Sequence, residues 1–440
     1  MRDKLYVVLI AISLATASFF FTGAVFLLIV FGSVCYLILK NAPLEDRRFI
    51  LSVLIAGFLI RLGVAMSLHA FSYLKGYEGA TSGDDLLYTV RSWAIVFKWE
   101  GKPYSWVQDL SGSLEYGVNP FTFIMALFYK VFGFHPMSVK IINCIIGTLI
   151  GWMSYLIGKE LFGRKAGRIA MLISMFYPSL IRWSIANLKD SLTILSFMVC
   201  VYICVALIYN RMAIWKYGVL VLSIVTLYFF VQRFHFVLAL GGVAAAVALR
   251  AFTVLNMKSR MAILSMTVII FLAGGVYFFS VNTKPLIKLI QACEEKQFTI
   301  AKSDYAGYHF YSDDFMRSIK NGKMPPPEFL KSVFLSTSYF MLTPFPWQMT
   351  SRERAVAYPQ MLLWYLVLFL AVFGYFKLAC DKTRAAILIG IMLFAGVIVH
   401  AMAEGNIGAA FRHRDLFTPF FLVLASPVIA VIINTSGKDA

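Results

Sequence analysis

Apolar runs of roughly membrane-crossing length, broken by short basic stretches and two long polar ones, set the pattern of the chain. A bilayer core requires about 20 apolar residues per helix. The first run, Leu5 to Leu39, exceeds one span, and Thr22-Gly23 offers a tight break, so a helical hairpin is expected there. Further spans are expected near 50–72, 139–158, 169–187, 190–209, 216–232, 235–250, 261–281, 358–378, 385–403 and 416–433, about twelve in all with both termini on one side. The stretch FTFIMALFYKVFG, Phe121 to Gly133, is too short to span and follows Asn119-Pro120; it reads as an amphipathic helix lying on the membrane surface. No internal repeat of fixed period is evident.

The distribution of Lys and Arg orients this layout. Arg2, Lys4, Lys40, Arg47, Arg48, Lys159, Arg164, Lys165, Arg168, Arg211, Lys216, Arg250, Lys258, Arg260, Lys377, Lys382 and Arg384 all fall on one face, which the positive-inside rule assigns to the cytoplasm. Reading the first run as a single span would turn those short basic loops outward, so the hairpin is preferred. The long segments 73–138 and 282–357 then lie outside; the second, with Pro325-Pro326-Pro327 and the turn Pro344-Phe345-Pro346-Trp347, reads as a cap.

Composition agrees: 60% of residues are hydrophobic and 14% charged, which excludes an ordinary soluble domain. The net charge of +18 is scattered between apolar runs rather than gathered on one basic face, so nucleic acid is excluded as a partner. The first run is too long for the core of a cleavable signal peptide. The six cysteines show no metal-type CxxC spacing and no pair in a shared polar segment, and are expected to be inert.

Against this apolar background the polar residues at the outer helix ends stand out. The first is an acid pair, Asp84 and Asp85, in ATSGDDLLY. Next come Arg182, Asn187, Lys189 and Asp190 in RWSIANLKDS, then Gln232, Arg233 and His235 in VQRFHF. Last are Glu404, Asn406, Arg412, His413, Arg414 and Asp415 in AEGNIGAAFRHRD. Snorkelling to lipid headgroups accounts for a lone arginine, and Asp190 suits a helix N-cap. A compact Arg-His-Arg at the head of a span instead suggests a phosphate held by guanidinium forks. Acids beside cations at a membrane rim suit transfer of a group already linked to a phosphate. A carboxylate takes the proton of the acceptor hydroxyl, and cations neutralise the departing phosphate.

The chain resembles the GT-C membrane glycosyltransferases that use polyprenyl-phosphate sugars, a superfamily including protein O-mannosyltransferases, lipid A aminoarabinose transferases and rhizobial galacturonosyl transferases. The resemblance is carried by Asp84, Asp85 and Tyr88, by NPFTFIMALFYKVFG, and by LFGRKAG between two apolar segments followed by a proline and an acid opening the next span. It implies a GT-C-like bundle with Asp84 as catalytic base and Asp85 and Asp190 as supporting acids. The apolar runs make the expected fold an all-α polytopic membrane protein of about twelve spans, and one base with one displacement makes inversion the expected outcome. Relatives often carry Lys-Pro-Pro or His-Pro-Pro before the surface helix, where this chain has Val118-Asn119-Pro120. Donor phosphate recognition is therefore expected of Lys189, Arg233, Arg412, His413 and Arg414, with Tyr88 beside them.

The expected organisation is an N-terminal hairpin, 1–49, then a catalytic membrane module, 50–281, containing the outer loop 73–138. A cap, 282–357, and C-terminal helices, 358–440, follow. The expected function is transfer of a sugar from a polyprenyl-phosphate carrier to a lipid, glycan or protein acceptor outside the cytoplasmic membrane, in cell-envelope synthesis. A polymerase or ligase using lipid-diphosphate oligosaccharides, or a flippase of lipid-linked sugars, are the alternatives; no duplicated halves with broken midplane helices favour a transporter. No cofactor is implied with certainty, and a divalent metal is compatible with the acids.

Overall fold

The apolar runs fold as helices in the computed structural model, which describes residues 23–77, 79–103, 120–209, 213–230, 233–254, 284–302, 307–321, 325–348 and 351–436. Among the described residues there is no strand, only one isolated antiparallel bridge between Gly307 and Asn406. Among the described residues six helices are long and apolar enough to cross a membrane: Leu44–Leu74, Pro136–Phe162, Asp190–Ile208, His235–Phe252, Ala357–Asp381 and Thr383–Ala403. A bent pair, Ile407–Leu416 and Thr418–Ile433, makes a seventh if counted as one span. These match the runs expected near 50–72, 139–158, 190–209, 235–250, 358–378, 385–403 and 416–433. The first arm of the N-terminal hairpin, the span at 261–281 and Gln232 lie outside the described residues.

The chain divides into two compact units, one of Met1–Val199, Val219–Phe236 and Ile429–Ala440, the other of Cys200–Gly218 and Val237–Val428. The first contains α1 (Ala24–Asn41), α2 (Leu44–Leu74), α3 (Gly83–Trp99), α4 (Pro120–Phe132), α5 (Pro136–Phe162), α6 (Arg164–Met175) and α7 (Pro178–Ser184). Three helices, α8 (Asp190–Ile208), α9 (Ile214–Phe230) and α10 (Arg233–Val254), have residues in both units. The second contains α11 (Lys284–Lys302), α12 (Asp313–Lys320), α13 (Pro326–Leu342), α14 (Ser351–Asp381), α15 (Thr383–Ala403) and α16 (Ile407–His413), and most of α17 (Thr418–Ser436).

The segment expected as a span at 169–187 is not one helix. α6 ends at Met175 and α7 begins at Pro178. Proline has no N–H to continue the ladder and forces its neighbour Tyr177 to extended geometry, with φ −68° and ψ 124°. Ahead of the break, α5 and α6 form a tight hairpin turned by Gly163, whose φ of +91° disfavours any side chain. A Cβ at Gly167 would sit 2.9 Å from the backbone nitrogen of Lys159 and the carbonyl oxygen of Tyr155, so the two helices touch through their backbones.

The LFGRKAG stretch also anchors α2. Asp46 is fully buried at the start of that helix and accepts from Tyr155 Oη at 2.7 Å, Arg164 Nε at 2.8 Å and Arg168 Nε at 2.6 Å. Deeper in the same unit, the buried Arg61 donates from Nε to Ser184 Oγ at 2.9 Å and from Nη1 to Gly57 O at 3.1 Å. Gly147 leaves it room: a Cβ there would lie 2.8 Å from Arg61 Nε. Apolar packing of α1 and α2 onto α5 surrounds both sites, with Phe31 and Phe58 stacked at 4.1 Å.

In the second unit, Gln297 of α11 is fully buried and organises the polar interior. Its Nε2 donates to Glu404 O at 2.9 Å and its Oε1 accepts from Phe310 N at 2.9 Å. Tyr308 N donates to Gly405 O at 2.7 Å, so the segment before α12 is laid against the turn before α16.

Candidate active site

The acid pair opens α3. Ser82 is its N-cap and accepts from Asp85 N at 3.2 Å, which satisfies one of the free donors of the first turn. Asp85 in turn reaches back to Thr81, accepting from its N–H at 2.8 Å and its Oγ1 at 2.9 Å, in the manner of a capping box displaced by one residue. Its other oxygen, Oδ1, accepts from Asn187 N at 3.2 Å, and Lys140 Nζ lies 3.4 Å from Oδ2, the oxygen bonded to Thr81. Asp85 and Lys140 are both fully buried. Asp84, one residue earlier in the same turn, is exposed.

The loop that delivers these acids is fixed carbonyl by carbonyl. Gly79 O accepts from Lys140 Nζ at 2.6 Å and His69 Nδ1 at 3.1 Å. Ala80 O accepts from Ser72 Oγ, and Thr81 O accepts from Arg182 Nη2 at 3.1 Å. Three successive buried or half-buried carbonyls thus find side-chain partners where water is scarce, as backbone near a bilayer requires. Gly79 adopts φ +75° with the His69 ring against it, a position only glycine fills without strain.

The turn between α7 and α8 completes the arrangement. Asn143, fully buried on α5, donates from Nδ2 to Ala186 O at 2.6 Å and to Leu188 O at 2.9 Å. Asn187 donates from Nδ2 to Thr89 Oγ1 at 3.1 Å, next to its backbone bond to Asp85. Lys189 follows, half-buried, and Asp190 is the first residue of α8. Beneath α3, Tyr129 of α4 is almost completely buried; burial pushes its phenol above the ordinary range, and Thr89 partly offsets this. Tyr88 is half-buried and packs its ring 6.4 Å from that of Phe121 on α4.

The cations of the second unit divide into two kinds. Arg414 is buried and turned inward: Nη1 donates to Met341 O at 2.9 Å and Thr343 O at 2.8 Å, and the guanidinium lies 4.8 Å from the Trp364 ring. Arg412 and His413 are half-buried. His413 Nδ1 contacts Oε2 of the buried Glu404 at 2.6 Å, so the carboxylate orients the imidazole. Tyr308, raised above its ordinary range by burial and then by Glu404, lines the same interior. Arg233 is the first residue of α10.

The sequence drew attention to Asp84, Asp85, Asp190, Arg182, Asn187 and Lys189, and the structure gathers Asp85, Arg182 and Asn187 into one network. Lys140, Asn143, Thr81 and Thr89 belong to that network and were not singled out. Lys140 sits one residue into an apolar run, where a lysine reads as a headgroup contact, and nothing in its neighbours marks it as buried. Among the described residues no group of three or more His, Cys, Asp or Glu side chains converges, so the residues present do not assemble a protein-only metal site.

The described residues are helical, with several helices long and apolar enough to cross a membrane, as in a multi-pass membrane protein, and the acids and cations singled out lie mostly in the first or last turns of helices. Residues 120–278 match the family model of dolichyl-phosphate-mannose-protein mannosyltransferases, and this match supports membership of the GT-C superfamily of membrane glycosyltransferases. The match covers about a third of the chain, from α4 through α10. No curated protein matches the chain.

Proposed function

We propose that this protein transfers a sugar from a polyprenyl-phosphate carrier to an acceptor hydroxyl on the extracytoplasmic side of the cytoplasmic membrane, within cell-envelope glycan or glycolipid synthesis. About twelve spans with both termini in the cytoplasm put 73–138 and 282–357 outside. The N-terminal hairpin 1–49 precedes the catalytic module 50–281, and the helices of 358–440 follow the cap.

In the proposed reaction Asp84 accepts the proton of the acceptor hydroxyl as its oxygen attacks the anomeric carbon. The bond from that carbon to the phosphate oxygen breaks, the lipid phosphate leaves with the bonding pair, and the sugar inverts. Asp85 sets the position of Asp84 and Asp190 assists from the head of α8. Charge on the leaving phosphate falls to Lys189, Arg233, Arg412 and His413, with Tyr88 and Arg414 in support through packing and through the Met341–Thr343 turn. The inward partners of Arg414 favour Arg412 and His413 as the contacting members of RHRD.

The reading rests on one observation: of two adjacent acids in the first turn of α3, Asp85 is fully buried against Thr81, Asn187 and Lys140 and Asp84 is solvent-exposed, in a chain part of which matches the dolichyl-phosphate-mannose-protein mannosyltransferase family. Mass spectrometry of surface glycans and lipids from cells with and without the protein tests it. The expected result is loss of one sugar from an envelope glycan or glycolipid and accumulation of its polyprenyl-phosphate form. Unchanged glycan and lipid pools would count against the proposal.

A further inference from the structure

Helix α13, Pro326–Leu342, lies in the stretch expected as a cap, yet it buries two serines while a leucine and a phenylalanine face out between the exposed Glu328 and Lys331. The inward stripe is Ser332, Ser336 and Phe340, all buried and spaced four residues apart. Ser332 Oγ donates to Phe310 O at 3.0 Å and Ser336 Oγ accepts from Gln297 at 3.4 Å. The outward ridge is Leu330 and Phe334, 64% and 71% exposed. A water-facing helix turns its serines out and its leucine and phenylalanine in.

The C-terminal end of α13 is finished in a way that points to the same surroundings. The last carbonyls of a helix lack intrahelical partners and ordinarily take water. Here Met341 O accepts from Trp364 Nε1 at 2.7 Å and from Arg414 Nη1, Leu342 O accepts from Tyr365 Oη at 2.7 Å, and Thr343 O accepts from Arg414 Nη1. Protein side chains satisfy all three, as they must where water is absent. Trp364 and Tyr365 belong to the membrane-crossing Ala357–Asp381, and seven residues from its first residue correspond to about 10 Å of helix rise. The neighbouring exposed residues of that span are Leu362, Leu363 and Leu366, and beyond α13 Trp347 is 75% exposed, with its ring stacked on Phe345. The apolar ridge of α13 therefore adjoins a surface that already faces lipid, with an exposed tryptophan of the kind that sits at membrane interfaces.

We infer that α13 is immersed in the bilayer beside α14 and α15, with Leu330 and Phe334 against phospholipid acyl chains, so that part of the cap is a membrane element. Nitroxide labels at Leu330→Cys, Phe334→Cys and, as a polar-side reference, Glu328→Cys test this in the full chain carrying Cys380→Ser, reconstituted in phosphatidylcholine–phosphatidylglycerol nanodiscs. At 330 and 334 collisions with molecular oxygen should exceed those with a nickel chelate several-fold, with the ratio reversed at 328. Nickel access at 330 and 334 equal to that at 328 would overturn the inference by placing the ridge in water. Low access to both reagents with spin–spin broadening would overturn it by placing a second copy on the ridge. A diazirine-bearing phosphatidylcholine photolysed with the unsubstituted protein removes dependence on the labels: adducts on Leu330 or Phe334 support immersion, and adducts confined to the spans contradict it.

Discussion

At the residue scale the first-loop acids are chemically identical neighbours with different surroundings. Asp85 and Lys140 form an ion pair at 3.4 Å in which both side chains are fully buried. Removing one partner of a buried pair leaves an uncompensated charge and typically costs about 3–5 kcal/mol, whereas removing both is far milder. Asp85→Asn is therefore expected to lower the thermal unfolding midpoint in detergent substantially, and Asp85→Asn combined with Lys140→Met to recover most of it. Equal loss in the single and double variants would show that the two charges do not stabilise one another. The sequence showed two acids but not this division, because burial of Asp85 depends on Thr81, Asn187 and Lys140, and Lys140 lies more than fifty positions away in another helix.

At the scale of elements, hydropathy located most of the long helices because a bilayer selects for length and apolarity alone. At 169–187 it missed only the break, because averaging over a window hides the interruption that Pro178 imposes between α6 and α7. It also passed over α13, where two serines are buried beside Phe340 while Leu330 and Phe334 face out. The hairpin of α5 and α6 was legible as LFGRKAG, though its reason was not: Gly167 permits backbone contact and Arg164 and Arg168 clamp Asp46. Gly167→Val adds atoms against backbone that cannot move aside, so the yield of monodisperse protein on size-exclusion chromatography should collapse. Gly218→Val, where a Cβ meets nothing within 4 Å, should leave it unchanged. Normal behaviour of Gly167→Val would mean that the two helices separate readily.

At the scale of the whole molecule, the proposed orientation makes Ser82 extracytoplasmic and Gly163 cytoplasmic. A membrane-impermeant maleimide should label Ser82→Cys in intact cells and Lys165→Cys, in the same exposed stretch as Gly163, only after the membrane is opened; labelling of position 165 from outside would reverse the layout. The donor side separates by exposure. Arg412→Ala should weaken binding of the lipid donor, whereas Arg414→Ala should first reduce stability, because Thr343 O loses its donor and Met341 O keeps only Trp364 Nε1. Donor affinity unaffected by Arg412→Ala would remove that residue from the phosphate contacts. The central claim is that this membrane protein transfers a lipid-linked sugar with Asp84 as general base, and turnover by the purified Asp84→Asn protein in nanodiscs tests it most directly. The amide keeps the shape of the side chain but cannot take the proton, so donor binding should persist while turnover falls by at least about 100-fold, roughly 3 kcal/mol of transition-state stabilisation. Turnover by Asp84→Asn close to that of the unsubstituted protein would contradict the account.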